Sequence, residues 1–517
     1  MEFKKKAEIN SVIKIFLEWA CIITPFLFSF IFLCFYAKTR LQQNIYPIGD
    51  LAADMLLSNQ INSKGYLLTG QYSRFEFHHP GPFFFYLTYL FEKIGSFFLL
   101  SRAASWTLAM IFINSAFLSI SAWLAFKSSL HLLSDLIKRL MFTFVALYYL
   151  KDFAISVWPP DKIVIPFMTF ILTLPYILKR DFRYFPISIL MGSILFHGRV
   201  DSPIFTFIPL LCLMGYAFYR NRGSLSPSER GNLLFGVGIG LLFLIPIFVD
   251  LVINQPSNLS LIINSMHHLK SDSSTWKEVY KYCLNYWKEA IGIIVSPFAA
   301  IIIFKDKKIA EDFYNQGLLF ISFFETIIFL LYFKSAPPPL YNYMAEFYVV
   351  IPIILFSRPA INALENLSID YCQENGAKKS LEAVLANALI GVVPVILIVQ
   401  MTKMVGAPIW DQNKDIPRLT AEIMKLTKSS QYIRIEHPHS MWPIVSGILL
   451  EFSKDHQKAC STFYGLSFLF TPAMTCNPDK KANIKLMESK ECSGKCTSII
   501  GNIGLKAINM DPVIQDK

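Results

Sequence analysis

Long apolar stretches, broken only by short polar segments, recur along almost the whole chain. A stretch of about 20 apolar residues folded as a helix crosses a bilayer, and only structures that satisfy every backbone polar group can do so. This single feature confines the chain to a polytopic helical bundle. Spans are expected near 15–37, 100–126, 138–155, 162–178, 184–198, 203–219, 231–252, 288–304, 316–333, 342–357 and 383–404, about eleven in all. Composition agrees: 54% of the 517 residues are hydrophobic, 16% are charged, and there are 46 Phe. A soluble globule could not hide that much apolar surface, and disorder, a coiled coil and a disulfide miniprotein are excluded. The N-terminal apolar run is too long for a signal peptide and no small-residue cleavage site follows it, so it reads as a retained span.

The formal charge of +11 reads as topology rather than as a nucleic-acid footprint, because no nucleic-acid motif is present. Lys4, Lys5, Lys6 and Lys14, Lys127, Lys138 and Arg139, Lys179, Arg180 and Arg183, Arg220, Arg222 and Arg230, Lys305, Lys307 and Lys308, and Arg358, Lys378 and Lys379 fall in one set of alternate loops. The short loops of the other set hold little more than Lys151, Arg199 and Lys334. The positive-inside rule then places the N-terminus in the cytoplasm and the C-terminus outside the cytoplasmic membrane. Segment 82–97 is apolar but short, and a crossing there would reverse the bias. It is expected to lie in the interface.

Three outer segments are long: 38–81, 253–287 and the tail from about 405 to 517. The expected domains are a membrane domain over 1–404 and a small soluble α/β domain over 405–517. In the tail, QYIRIEH (431–437), KACSTFY and LSFLFTP read as strands, and Ser440 is placed to cap a helix through WPIVSGILLEFSK. Cys21, Cys34 and Cys212 sit in apolar spans as packing residues, and Cys372 falls in a cytoplasmic loop. Cys460, Cys476, Cys492 and Cys496 lie in the outer tail, where disulfides persist. Three pairings exist; Cys460–Cys476 and Cys492–Cys496 are favoured, with a zinc site as the rival.

Nearly every polar cluster between spans falls on the outer side, which suggests a cavity there. GDLAAD places Asp50 and Asp54 four apart, on one face if 50–61 is a helix. Asp50 follows Gly49 and suits a helix N-terminus, as a cap or as a reactive carboxylate. Asp54 by itself reads equally as a solvated helix residue. YSRFEFHHPGP offers Arg74, whose guanidinium matches phosphate oxygens, and His78 and His79, which suit a sugar, a phosphate, a metal or simple packing. WPPDK sets Trp158 at the interface and presents Asp161 and Lys162. FHGRVDS gathers His197, Arg199 and Asp201, where an Arg199–Asp201 ion pair competes with phosphate binding. SMHHLK (265–270) is a further cluster, and KSAPPPLYNY carries Lys334, Tyr341 and Tyr343. Glu325 lies mid-span and Glu346 just inside a span, and buried carboxylates in such places have roles in chemistry or in helix pairing.

The arrangement resembles the GT-C superfamily of polytopic glycosyltransferases, through GDLAADMLL, HHPGPFFFYL, WPPDKIVIPF and GSILFHGRVDSPI. It is also similar to the serotype-converting glucosyltransferases of O-antigen, which carry an outer C-terminal region. The resemblance implies a polyprenyl-phosphate sugar donor, a glycan acceptor and an acidic base in the first outer loop. That base is Asp50, with Asp54 as the other candidate. Donor phosphate would fall to Arg74, Lys162 and Arg199, and substrate to His78, His79, Asp161, His197, Asp201, Tyr341 and Tyr343. Members that need a divalent metal carry extra acidic ligands in further loops; Asp161 is the one clear candidate here, so the resemblance leaves a divalent metal open and assigns no other cofactor. One base with in-line displacement implies inversion. A flippase would need midplane ionisable groups and inverted repeats. A glycan ligase or polymerase would use the same face, and a scaffold would leave the one-sided polar clusters unexplained.

Overall fold

A computed structural model describes residues 2–73, 75–126, 132–269, 273–289, 312–374, 412–427, 432–454, 458–462, 474–477, 482–492 and 496–508. The chain divides into two compact units. One comprises Met1–Thr39, His79–Phe84 and Thr107–Ala407; the other comprises Arg40–His78, Phe85–Trp106 and Pro408–Lys517.

The first unit is a helical bundle. In chain order the helices are α1 (Glu2–Tyr36), then α2 (Lys38–Gln42), α3 (Gly49–Lys64) and α4 (Phe83–Phe97) of the first loop, then α5 (Arg102–Ala125), which belongs to this unit from Thr107 onward, and the series α6 (Leu132–Ile155), α7 (Pro159–Lys162), α8 (Val164–Leu178), α9 (Phe185–Gly198), α10 (Ser202–Phe205), α11 (Phe207–Arg220), α12 (Pro227–Ile253), α13 (Asn258–Leu269), α14 (Trp276–Glu289), α15 (Phe313–Ser335) and α16 (Val350–Glu374). Among the described residues, six stretches are long and apolar enough to cross a membrane: Glu18–Tyr36, Arg102–Ala125, Pro159–Leu178, Ser202–Arg220, Pro227–Ile253 and Phe313–Ser335. The chain is thus a multi-pass membrane protein, and six of the about eleven expected spans are matched among the described residues. Segments 288–304 and 383–404 lie outside the described residues. Segment 138–155 is helical in α6 but carries Lys138, Arg139, Lys151 and Asp152. Segment 184–198 supplies only the 14 residues of α9. Segment 342–357 begins as two 3-10 turns before α16.

Burial sorts the helices. α8 is covered nearly all round, while α12 exposes Leu234, Phe235, Leu241, Leu242, Ile245 and Phe248, as a helix against lipid does. Charges inside the bundle are spent on backbone carbonyls and carboxylates. Arg139 donates to the carbonyls of Phe126 and Cys21. Arg358 donates to the Ala125 carbonyl and to Asp312, and its guanidinium lies 4.3 Å from the Tyr314 ring centroid.

The second unit contains a five-stranded sheet of order β4-β3-β5-β7-β6, built from β3 (Ile433–Glu436), β4 (Ala459–Ser461), β5 (Ile484–Glu488), β6 (Ser498–Ile500) and β7 (Ile503–Ala507). β3 pairs in parallel with β4 and β5, and β7 runs antiparallel to β5 and β6. Parallel neighbours need a crossover, and α18 (Trp442–Lys454), which follows α17 (Ile416–Leu426), supplies it between β3 and β4. QYIRIEH and KACSTFY thus contain β3 and β4, whereas LSFLFTP lies outside the described residues. The helix after Ser440 begins with a 3-10 turn, His439–Met441. Cys460 is bonded to Cys476 and Cys492 to Cys496.

This unit also takes in the first loop. α3 packs on α18: Ser446 Oγ donates to the Gly49 carbonyl at 3.2 Å, and Asn59 Nδ2 reaches Ser453 Oγ at 3.4 Å. β1 (Tyr72–Ser73) and β2 (Phe77–His78) form a hairpin, and α4 exposes Tyr86, Leu90, Ile94 and Phe97 along one side. Arg102 binds Glu92 at 2.7 Å, Ser58 Oγ at 2.6 Å and the Met55 carbonyl at 3.0 Å, fixing α3 to α4 and α5.

Between β3 and β5 the Asn483 side chain acts as a short piece of backbone. Its Oδ1 accepts from the Arg434 amide at 2.8 Å and its Nδ2 donates to the Tyr432 carbonyl at 3.0 Å. Asn483→Ala removes both of these hydrogen bonds, at a cost of about 1–3 kcal/mol. Hydrogen exchange should show the Arg434 amide losing protection in that variant while β6 and β7 keep theirs.

Candidate functional site

The candidate residues fall into two constellations, one in each unit. In the second unit, Gly49 has a φ of +58°, a left-handed conformation that side chains disfavour, and it turns the chain directly into α3. Asp50 therefore stands in the first turn, where a carboxylate gains from the helix dipole. It is half-buried, and its Oδ1 accepts a hydrogen bond from the Tyr72 hydroxyl. The Tyr72 ring in turn meets Trp442 edge-on at 6.5 Å. Asp54, one turn later, differs: it is 1% exposed and its Oδ2 accepts from Gln71 Nε2 at 2.7 Å. The reading of Asp54 as a solvated helix residue is thereby corrected. The 71–78 hairpin folds back and seals it, which helix periodicity could not reveal. His78 lies on β2 opposite Tyr72. Arg74 lies outside the described residues.

In the first unit, the turn after α9 brings together residues from four segments. Arg199 forks Asp201, Nε to Oδ1 at 2.6 Å and Nη2 to Oδ2 at 2.8 Å. Tyr332, from the end of α15, donates its hydroxyl to Asp201 Oδ2. The Arg199 guanidinium lies 5.3 Å from the Phe347 ring centroid, and its Nη1 reaches the Tyr343 carbonyl at 3.5 Å. Burial alone would raise the Asp201 pKa, but the Arg199 charge and the hydrogen bonds from Arg199 and Tyr332 hold the carboxyl below its ordinary value. Beside this pair, Trp158 meets Tyr343 edge-on at 5.5 Å, and Tyr343 stacks on Tyr341 at 5.6 Å. Asp161 is hydrogen-bonded to Glu346 and to Ser156. Lys162 is 1% exposed, with its ammonium 5.7 Å from the Phe84 ring centroid.

His197 is 4% exposed, and its Nε2 lies 2.7 Å from the Phe243 carbonyl. A carbonyl only accepts, so Nε2 carries the proton. The imidazole fills the space left by Gly81, where an added Cβ would come within 2.3 Å of the ring. That is why HHPGP needs a glycine: the ring occupies the side-chain volume. This environment gives His197 a packing contact. His79 acts on Asp201 electrostatically. An apolar groove of about 230 Å³ lies next to this turn, lined by Pro80, Phe196, Val200, Ile247 and Ile262, with Asp250 and Asn258 as its polar members.

Among the described residues, no three His, Cys, Asp or Glu side chains gather to hold a metal ion. The Asp161–Glu346 pair offers carboxylate oxygens from two segments. Tyr332 and the Asp161–Glu346 pairing were not foreseen from sequence. Tyr332 sits in FLLYFKS like any belt tyrosine, and pairing across 185 positions leaves no local signal. The side chains of His267 and His268 and residue Lys270 lie outside what the structure describes.

Neither a protein-family model nor a curated protein sequence matches the chain. Among solved structures it is similar to ArnT from Cupriavidus metallidurans bound to undecaprenyl phosphate, with a TM-score of 0.53 and 11% identity over 90% of this chain and 93% of that one. It also aligns with the oligosaccharyltransferase of Archaeoglobus fulgidus in the apo form, at a TM-score of 0.37 and 11% identity over 92% of this chain and 70% of that one. A third alignment is to the archaeal oligosaccharyltransferase AglB from Archaeoglobus fulgidus in complex with an inhibitory peptide and a dolichol-phosphate, at a TM-score of 0.35 and 12% identity over 88% of this chain and 65% of that one.

Asp201→Asn breaks the fork and leaves a guanidinium that is only 12% exposed without its counter-charge, at a cost of about 1–3 kcal/mol near neutral pH. Because the folded pKa of Asp201 is depressed, the stability it confers is complete above the ordinary carboxylate pKa of about 4 and fades as pH falls through the lower folded value. Thermal unfolding in detergent should therefore separate wild type from Asp201→Asn at pH 7, with the gap closing in acid. The likeness to ArnT, spanning nearly the whole of both chains, shows that this chain has the fold of that protein.

Proposed function

We propose that the chain is a membrane glycosyltransferase that moves a sugar from a polyprenyl-phosphate donor to an acceptor hydroxyl, with Asp50 as general base. The observation that carries this reading is the contrast between two carboxylates on one helix. Asp54 is sealed beneath Gln71, whereas Asp50 is half-buried and oriented by Tyr72. A base must be reachable by the proton it removes. The shared fold with ArnT, which was solved with undecaprenyl phosphate, supports a lipid-linked donor.

In this reaction Asp50 takes the acceptor proton as the hydroxyl oxygen attacks the anomeric carbon. The bond to the lipid phosphate breaks, and the phosphate leaves with the electron pair. One base and in-line displacement invert the anomeric centre. Arg74 is the proposed phosphate partner, whereas Lys162, 1% exposed beside the Phe84 ring, is no more reachable than Asp54. Arg199 supplies an oriented charge, partly offset by Asp201, and thus a weaker phosphate contact than an unneutralised arginine would make. The apolar groove beside Pro80 suits the isoprenoid chain. His78, His79, Asp161, Tyr341 and Tyr343 are proposed to hold sugar and acceptor, and the Tyr341–Tyr343 stack offers ring faces to a sugar. The finer reading is a hexose such as glucose, passed to a cell-envelope glycan such as O-antigen outside the cytoplasmic membrane. It rests on the motif resemblance and on the charge bias of the loops.

A transporter of lipid-linked glycan is the second reading, and Glu325 favours it. This carboxyl is fully buried in α15, and neither oxygen has a hydrogen-bond partner among the described residues. The two readings separate in proteoliposomes loaded with a radiolabelled polyprenyl-phosphate sugar. Asp50→Asn should lower sugar transfer by about 10²- to 10⁴-fold with membrane insertion intact. Transfer within a few-fold of wild type would remove Asp50 as the base. Loss of lipid translocation in Glu325→Gln, with no transfer in wild type, would favour the transporter.

A further inference from the structure

α14 takes no part in the chemistry proposed above, yet its sequence is strongly ordered around the helix. Thr275 and Glu278 start it with a reciprocal cap: the Glu278 amide donates to Thr275 Oγ1 at 3.3 Å, and Glu278 Oε2 accepts from the Thr275 amide at 2.6 Å. Val279, Tyr282 and Cys283 are buried. Next around the helix comes a row one turn apart, Trp276, Tyr280 and Leu284, exposed by 55%, 66% and 46%. Lys277 and Lys281 follow, both exposed, and Glu278 and Asn285 complete the circuit. The order is therefore buried apolar, exposed apolar, cationic, polar.

The place of the helix is fixed. Tyr282 stacks on Phe333 with ring centroids 4.7 Å apart, and the Ser274 amide and hydroxyl both donate to the Ala336 carbonyl at 3.0 and 2.8 Å. α14 is thus bound to the last turn of α15, a helix long and apolar enough to span. α15 carries its own exposed apolar row, Phe320, Phe323, Ile327 and Leu331, running toward that same end. The end of a span lies at headgroup depth, where Trp and Tyr rings are favoured and lysines reach outward to phosphate.

We propose that α14 is an interfacial helix whose Trp276–Tyr280–Leu284 row enters the acyl boundary of the bilayer and whose Lys277–Lys281 pair selects anionic phospholipid. Two features identify the occupant. The helix is fixed to the end of a span whose own exposed row is apolar, and the flanking charge is net positive, because Lys277 and Lys281 outnumber the one carboxylate among the described outward residues, Glu278. Tyr282 also donates to the Tyr341 carbonyl at 2.9 Å, so the same helix holds the backbone that carries Tyr341 and Tyr343.

The test places p-benzoylphenylalanine at position 280 of the full chain, in nanodiscs of equal phosphatidylcholine and phosphatidylglycerol. Irradiation and mass spectrometry then identify what is attached. The expected result is a phospholipid adduct, with phosphatidylglycerol enriched about fivefold over phosphatidylcholine, roughly what one lysine near an anionic surface contributes. Lys277→Glu with Lys281→Glu should keep the lipid adduct and remove the enrichment. Cross-links to a second copy of the chain in place of lipid, or a lipid ratio near one that the double variant leaves unchanged, would overturn the proposal. The readout needs no turnover, so its failure is distinct from failure of the transferase reading.

Discussion

A charge carried into an apolar bundle must bring its counter-charge with it, and the Arg199–Asp201 fork is where this chain meets that requirement. Two short hydrogen bonds neutralise the pair, and Tyr332 contributes a third from another helix. Breaking one member of such a buried pair costs far more than forming it contributes, so the pair specifies an arrangement more than it adds stability. It ties the turn after α9 to the end of α15 and, through the Tyr343 carbonyl, to the segment before α16. Trp158, Asp161 and Glu346 are held against that frame by Tyr343 and by their own hydrogen bonds. The candidate donor residues of the first unit thus sit on helix ends and turns whose spacing an ion pair fixes.

The second unit solves a different problem. A loop helix of 16 residues with two carboxylates would be marginal alone. α3 gains its stability by packing on α18 and by the Arg102 network, and the hairpin from Tyr72 to His78 then assigns different environments to Asp50 and Asp54. Identical side chains one turn apart thereby become a sealed structural group and a reachable one. Environment, not residue type, separates a reactive carboxylate from an inert one.

Exposed apolar rows on short helices are a third theme. α4 and α14 each expose a row of large apolar side chains at helical spacing, in different units of the same chain. In water such rows would be costly, whereas at the edge of a bilayer they are favoured. Both helices adjoin segments that carry candidate site residues, HHPGP before α4 and the 341–343 turn bonded to Tyr282.

The membrane class, the principal apolar spans, the strands β3 and β4 and the identity of the polar clusters were legible along the sequence, because hydropathy and alternation are local properties of a chain. The four tail cysteines were likewise visible, and the favoured one of their three pairings is the one formed. What only the tertiary structure decided was partnership. That Asp54 lies under Gln71, that Tyr332 completes the Arg199–Asp201 fork, that Asp161 meets Glu346 and that the ring of His197 fills the hollow at Gly81 are contacts between residues far apart in sequence. The strands β5, β6 and β7 escaped notice for a related reason. Short strands owe their stability to neighbours across the sheet rather than to their own residues, so a five-residue run such as IKLME carries no mark of its pairing until β3 and β7 lie on either side.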